Sequence, residues 1–239
     1  MTHEVFIEAE QAGWIERAGS LARDEMRRVV ERTGRCRVAL SGGSTPAAVF
    51  EWFALHLGPE LERELWITWA DERVLPRVGD EPGWRGWDER VSARLAYARW
   101  LGGSSVRPER VLALSEGGAL KDELPDVRAR FDVDFDGGVD VALLGAGADG
   151  HVASLFPGRD WGSGPGVIVV RDSPKPPPVR VSLTMETLTS AVRFVWARGE
   201  AKAEAFGRAE SPEDRTPLGV VTHAPGRCVW VLDEPAAGT

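Results

Sequence analysis

Val139-Asp140-Val141-Ala142-Leu143-Leu144-Gly145-Ala146-Gly147-Ala148-Asp149-Gly150-His151 decides the fold. Its first six residues are almost continuously apolar. A strand of that composition is buried on both faces, as in a parallel sheet covered by helices. It runs into a glycine-rich turn carrying an acid and a histidine. Outward from it, Cys36–Leu40, Leu65–Trp69, Val167–Val170 and residues 111–114, 194–197 and 228–232 are further short β-prone runs. Residues 14–30 place Trp14, Ala18, Leu21, Ala22, Met26, Val29 and Val30 at helical spacing, and residues 200–210 form a second helical stretch. After Leu40, Thr45 fits an N-cap and Pro46 the first position of a helix reaching about Leu57. The alternation predicts an α/β fold, with 1–239 as a single α/β domain.

Two segments have no period. Residues 76–87, rich in Gly, Pro, Trp and charge, read as a long surface loop. Residues 173–178 contain Pro176-Pro177-Pro178, a stiff, extended run that can hold neighbouring side chains in place. The tail, 235–239, is expected to fray.

The chain has 239 residues, and its 43% hydrophobic content is enough to fill a core. A net charge of −8 argues against a nucleic acid or an anionic membrane as partner, because those surfaces call for clustered Lys and Arg. The acidic residues among the first eleven do not resemble a signal peptide, and no apolar run approaches the roughly 20 residues of a membrane span. A cytoplasmic location is expected. Cys36 and Cys228 match no metal spacing and read as core thiols. With only His3, His56, His151 and His223, no HExxH and no cysteine pair, there is no zinc pattern. A Gly-x-Ser-x-Gly elbow is missing too, which removes ordinary serine-hydrolase chemistry. No metal and no cofactor is expected.

Ligands of parallel α/β sheets bind beyond the carboxyl ends of the strands, and three turns there carry chemistry. Ser41-Gly42-Gly43-Ser44-Thr45 combines close backbone approach with a helix start, which makes a cradle for a small phosphate ester. It lacks the Gly-Lys-Ser/Thr of a nucleotide loop and the glycine spacing of a dinucleotide site. Asp71-Glu72-Arg73 is either an internally paired charge cluster or a source of an arginine fork for phosphate. Gly145 to His151 is the strongest signal. A histidine exchanges protons near neutral pH, and a neighbouring carboxylate, here Asp149, can orient its ring.

Taken in order, Ser41-Gly42-Gly43-Ser44-Thr45-Pro46, Trp69-Ala70-Asp71-Glu72-Arg73-Val74-Leu75-Pro76, Asp149-Gly150-His151-Val152-Ala153-Ser154-Leu155-Phe156-Pro157 and Ser173-Pro174-Lys175-Pro176-Pro177-Pro178 resemble the 6-phosphogluconolactonase family. That family lies in the wider glucosamine-6-phosphate isomerase/6-phosphogluconolactonase group. The proline segment followed by Arg180 resembles the lactonase rather than the deaminase. The resemblance implies a Rossmann-like, mostly parallel sheet flanked by helices on both faces, NagB/RpiA/CoA-transferase-like. It also implies hydrolysis of 6-phospho-D-glucono-1,5-lactone in the oxidative pentose phosphate pathway. Deamination or isomerisation of a sugar phosphate, and non-catalytic sugar-phosphate sensing, are the competing readings.

The implied catalytic residues are His151, as the base toward water, and Asp149. The implied phosphate and substrate ligands are Gly42, Gly43, Ser44, Thr45, Arg73, Arg180 and Lys202, the last resembling a family lysine near the phosphate. The implied partner is a small sugar phosphate, with the chain acting as a monomer or weak homodimer. One departure stands out. The family usually carries a Ser-Asn pair soon after Asp-Glu-Arg, whereas this chain has Ser92-Ala93 there and no asparagine at all.

Overall fold

The computed structural model describes residues 3–117 and 119–239. Along the chain come β1 (Glu4–Glu8), α1 (Gln11–Thr33), β2 (Cys36–Leu40), α2 (Ser44–His56), α3 (Pro59–Glu62), β3 (Leu65–Trp69), β4 (Asp71–Arg73), α4 (Ser92–Arg99) and α5 (Leu120–Asp134). They are followed by β5 (Val141–Gly145), β6 (Val167–Val170), β7 (Arg180–Leu183), α6 (Met185–Ser190), β8 (Val192–Ala197), α7 (Ala203–Ala209), α8 (Pro217–His223), β9 (Cys228–Asp233) and α9 (Glu234–Ala237).

A six-stranded parallel sheet has the order β1-β9-β8-β5-β2-β3. Its central strand β5 is buried through Leu144, as its unbroken apolar run requires. Strand register shows that helices cover both faces. Trp196 pairs with Val231 and shares its face, where Trp14 of α1 packs edge-on against Trp196 at 6.3 Å. Trp230, one residue along, points the opposite way and meets Phe206 of α7 at 5.0 Å.

A second sheet, β4-β7-β6, is antiparallel and does not follow from the strand–helix alternation. Ala70 joins the two sheets: its amide donates to Leu40 at 2.8 Å, and its carbonyl accepts from Leu183 at 2.8 Å. The residues directly after β3 are therefore strand rather than turn.

Other expectations shift for local reasons. Residues 111–114 are buried but do not form a strand. Val111 makes an isolated bridge to Ile67, and the Thr68 hydroxyl then takes the Leu112 carbonyl at 3.0 Å in place of a backbone donor. Helix α2 starts behind Gly43, whose φ of 103° and ψ of 177° suit glycine, so Thr45 lies inside the first turn and is not the N-cap. β5 begins at Val141 rather than Val139. The tail does not fray: the Asp233 carboxylate accepts the Ala236 amide at 3.0 Å, capping α9, and Ala236 is buried. β1 is an exposed edge strand with three apolar residues between two glutamates, paired with β9. Among the described residues no helix is long and apolar enough to cross a membrane.

Candidate active site

β2 and β5 are neighbours, yet the chain leaves β2 toward β3 and β5 toward β8, on opposite sides. The sheet's winding reverses between them, and the two following turns meet there, at the place where α/β sheets bind ligands. Ser41 ties the turns together: its amide donates to Leu143 O at 3.0 Å, and its hydroxyl accepts from Gly145 N at 3.3 Å.

A cleft of about 210 Å³ opens at this point. That is below the roughly 300–1,000 Å³ of sites for drug-sized ligands and suits a small metabolite. Gly42, Gly43, Ser44 and Thr45 form one wall, Gly145, Gly147 and His151 a second, and Asp71, Arg73 and Arg180 a third, with Ser92 and Lys202 at its margins. No side chain caps α2, so its first N–H groups are left for a ligand and the positive end of the helix dipole faces the cleft.

His151 is held from behind. Its Nδ1 donates to Asp149 Oδ1, and its ring packs on Phe156 with centroids 4.8 Å apart. A Cβ on residue 147 would lie 2.0 Å from Nδ1, so only glycine admits the ring in this position. Burial holds the imidazole below its ordinary value, with the Asp149 contact partly offsetting it, and the ring therefore stays neutral near pH 7. Burial alone would raise Asp149, but the hydrogen bond from His151 and the charges of His151 and Lys175 outweigh it and bring the carboxyl down to about 2. An ionised Asp149 only accepts, so it fixes the hydrogen on Nδ1 and leaves Nε2 as the free ring nitrogen.

Cations surround the cleft. Arg73 pairs with neither of its acidic neighbours; its Nη1 donates to Arg90 O at 2.6 Å. Lys202 lies just ahead of α7, and its side chain has no hydrogen-bond or ion-pair partner among the described residues. Burial and then the like charge of Lys175 lower its affinity for a proton. Arg180 lines the cleft but spends its donors on the carbonyls of Lys175, Pro176 and Pro177, at 3.1 to 3.3 Å. A further contact reaches Asp71 at 3.4 Å.

The structure therefore brings every expected residue to one site, with Asp149 behind His151. It also adds residues absent from the expected set. Lys175 stands 3.4 Å from Asp149 Oδ1 and 3.3 Å from His151 Nδ1. Because Nδ1 spends its hydrogen on Asp149, the ammonium donates to the carboxylate. Asp71, on the same wall as Arg73, accepts from the hydroxyl of the buried Ser154. The stiffness of the proline segment was a usable signal for Lys175; nothing in the sequence pairs Asp71 with Ser154.

The family model described as glucosamine-6-phosphate isomerases/6-phosphogluconolactonase matches residues 9–230. The 6-phosphogluconolactonase of Rattus norvegicus is 32% identical over 221 residues, covering 85% of this chain and 80% of that one. A probable chloroplastic 6-phosphogluconolactonase 3 of Oryza sativa subsp. indica is 33% identical over 236 residues, covering 87% of this chain and 67% of its own length. Among solved structures, 6-phosphogluconolactonase from Trypanosoma cruzi superposes with a TM-score of 0.82 at 22% identity, covering 100% of this chain and 98% of that one. A monomeric glucosamine-6-phosphate deaminase superposes with a TM-score of 0.76 at 19% identity, covering 98% of this chain and 97% of that one. At such identities the superpositions speak for the fold alone.

Proposed function

We propose, from the premise that the chain belongs to the glucosamine-6-phosphate isomerase/6-phosphogluconolactonase family, that it hydrolyses 6-phospho-D-glucono-1,5-lactone to 6-phosphogluconate. The observation that carries the chemistry is the free Nε2 of a neutral His151, backed by Asp149, on the same cleft as the uncapped start of α2. The curated relatives above are lactonases by name, which favours the lactone over an amino sugar.

The phosphate sits on the amides of Gly42, Gly43, Ser44 and Thr45, with Arg73 and Lys202 closing over it. Arg180 adds charge from the wall while its donors hold the Lys175 segment. With the phosphate anchored, the lactone carbonyl lies toward His151. Nε2 takes a proton from water as the oxygen attacks the carbonyl carbon, giving a tetrahedral oxyanion. The bond from that carbon to the ring oxygen then breaks, and the imidazolium returns its proton to the leaving oxygen. Asp149 stabilises the imidazolium between the two transfers, and the nearby cations stabilise the oxyanion.

The test follows acid release from freshly made lactone above its spontaneous rate, with phosphorylated and unphosphorylated gluconolactone side by side. Enzyme-dependent release that prefers the phosphorylated substrate is expected. Ammonia from glucosamine 6-phosphate would assign the site to deamination instead, and tight 6-phosphogluconate binding without turnover would make the protein a sensor.

A further inference from the structure

Glu72 is fully buried one residue from Arg73, yet it does not line the cleft and forms no ion pair among the described residues. Its carboxylate takes three backbone N–H groups: Arg73 and Ser92 donate to Oε1, each at 2.7 Å, and Ala93 donates to Oε2 at 2.8 Å. The last two open α4, whose N-cap Val91 has no side-chain acceptor to offer. The helix is thus capped by a carboxylate from another strand, which also suits its dipole.

Both segments held by this carboxylate line the cleft. Arg73 carries the guanidinium of one wall, and Ser92 presses on the phosphate cradle so closely that a Cβ on residue 42 would meet its Oγ at 2.2 Å. The Arg73 guanidinium, bonded to Arg90 O, is a second tie between β4 and the approach to α4.

We propose that Glu72 is a positioning residue for the phosphorylated substrate: without touching it, the carboxylate sets Arg73 and Ser92 at a fixed spacing across from the Gly42-Gly43 turn. The proposal rests on the lactonase reading above and extends it to a group outside the cleft. Its chemistry has a cost. Burial outweighs the three N–H donors and, with the neighbouring Asp71 charge, raises Glu72 to about 7. The charges that act on it are Asp71 on its own strand and Arg180 from β7. Because the folded value lies above the ordinary 4.5, this group's contribution to stability is full below about 4.5 and is lost as pH rises through about 7. Above that, the ionised carboxylate opposes folding while it aligns the site. A residue serving the fold alone would be better neutral.

Glu72→Gln and Glu72→Asp test this through kcat and KM for the phosphorylated lactone, calorimetric binding of 6-phosphogluconate, and thermal melting. Glu72→Gln is expected to raise KM and weaken 6-phosphogluconate about tenfold, with kcat held within about threefold. Its thermal midpoint at about pH 8 stays within a few degrees of wild type or above it. The affinity gap to wild type should narrow toward about pH 6, where the wild-type carboxylate takes up its own proton. Glu72→Asp, which keeps the charge on a shorter arm, should lie between the two. Wild-type KM and affinity in a folded Glu72→Gln overturn the proposal, and so does a parallel loss of kcat, affinity and melting temperature. Should Glu72→Gln not fold, Glu72→Asp decides: a raised KM at constant kcat supports positioning, and unchanged constants overturn it. Wild type that binds 6-phosphogluconate but turns over no lactone removes the lactonase reading alone, leaving calorimetry to judge Glu72. Wild type that binds none removes both.

Discussion

The two ends of the β2–β5 strand pair are built to opposite rules. At the amino end, Arg37 and Asp140 satisfy one another: the Arg37 amide, Nε and Nη2 all donate to the Asp140 carboxylate at 2.8 to 3.0 Å, and Nη1 donates to Phe135 O at 2.6 Å. At the carboxyl end, the first amides of α2 have no side-chain cap, and the Lys202 side chain has no hydrogen-bond or ion-pair partner among the described residues. There, His151 keeps one ring nitrogen free. Polar groups left open cost stability, and they are what a phosphorylated substrate would satisfy. Closed pairing marks the end that holds the sheet together, and open valences mark the end where the proposed substrate would bind.

Substitutions at the two ends should therefore separate activity from stability. The largest effect is expected from His151→Asn, which should lower kcat by about 10²- to 10⁴-fold while leaving the melting temperature nearly unchanged. Full kcat in the folded variant would remove His151 as the base. Asp140→Ala should do the reverse, costing about 2–3 kcal/mol in denaturant unfolding because it strands a partly buried Arg37, with kcat/KM close to wild type. If it cut kcat/KM as much as stability, the division between the ends would be lost.

The pH profile sharpens the contrast. The proposed base works neutral and its value lies below the ordinary 6.5, so kcat, which Glu72 leaves nearly unchanged, should stay on its plateau down through pH 6.5 and fall only in more acid solution. An acid limb centred above 6.5 in the kcat profile would assign the base elsewhere. The smallest effect is expected from Lys202→Met, a several-fold rise in KM for the phosphorylated lactone with kcat retained and no change for the unphosphorylated one. Equal changes for both substrates would take Lys202 off the phosphate.

Much of this could be read along the chain. β2, β3 and β6 have the expected bounds, because short apolar runs between turn residues signal themselves locally. The cradle and the His151 turn were legible for the same reason, since glycine beside acid, hydroxyl or histidine at a strand end is a local pattern. What could not be read depends on distant partners. β1 is capped at both ends by glutamates and becomes a strand only beside β9. The 111–114 run looks like a strand but is cut short by the hydroxyl of Thr68, 44 residues away from Leu112. Along the chain, Ser92-Ala93 reads only as a departure from the family's Ser-Asn, and it took the fold to show that both residues spend their amides on Glu72.

The sequence by itself determined the α/β alternation, the glycine turns at the strand ends, and the histidine with its carboxylate two residues away. All of these rest on contacts within a few residues, where spacing is geometry. Only the tertiary structure decided that β2 and β5 are neighbours whose turns share one cleft. It also brought Lys175 to the Asp149–His151 pair from a remote segment, and it buried Glu72 where three amides converge. Those features arise from packing between elements far apart in the chain, which no local pattern encodes.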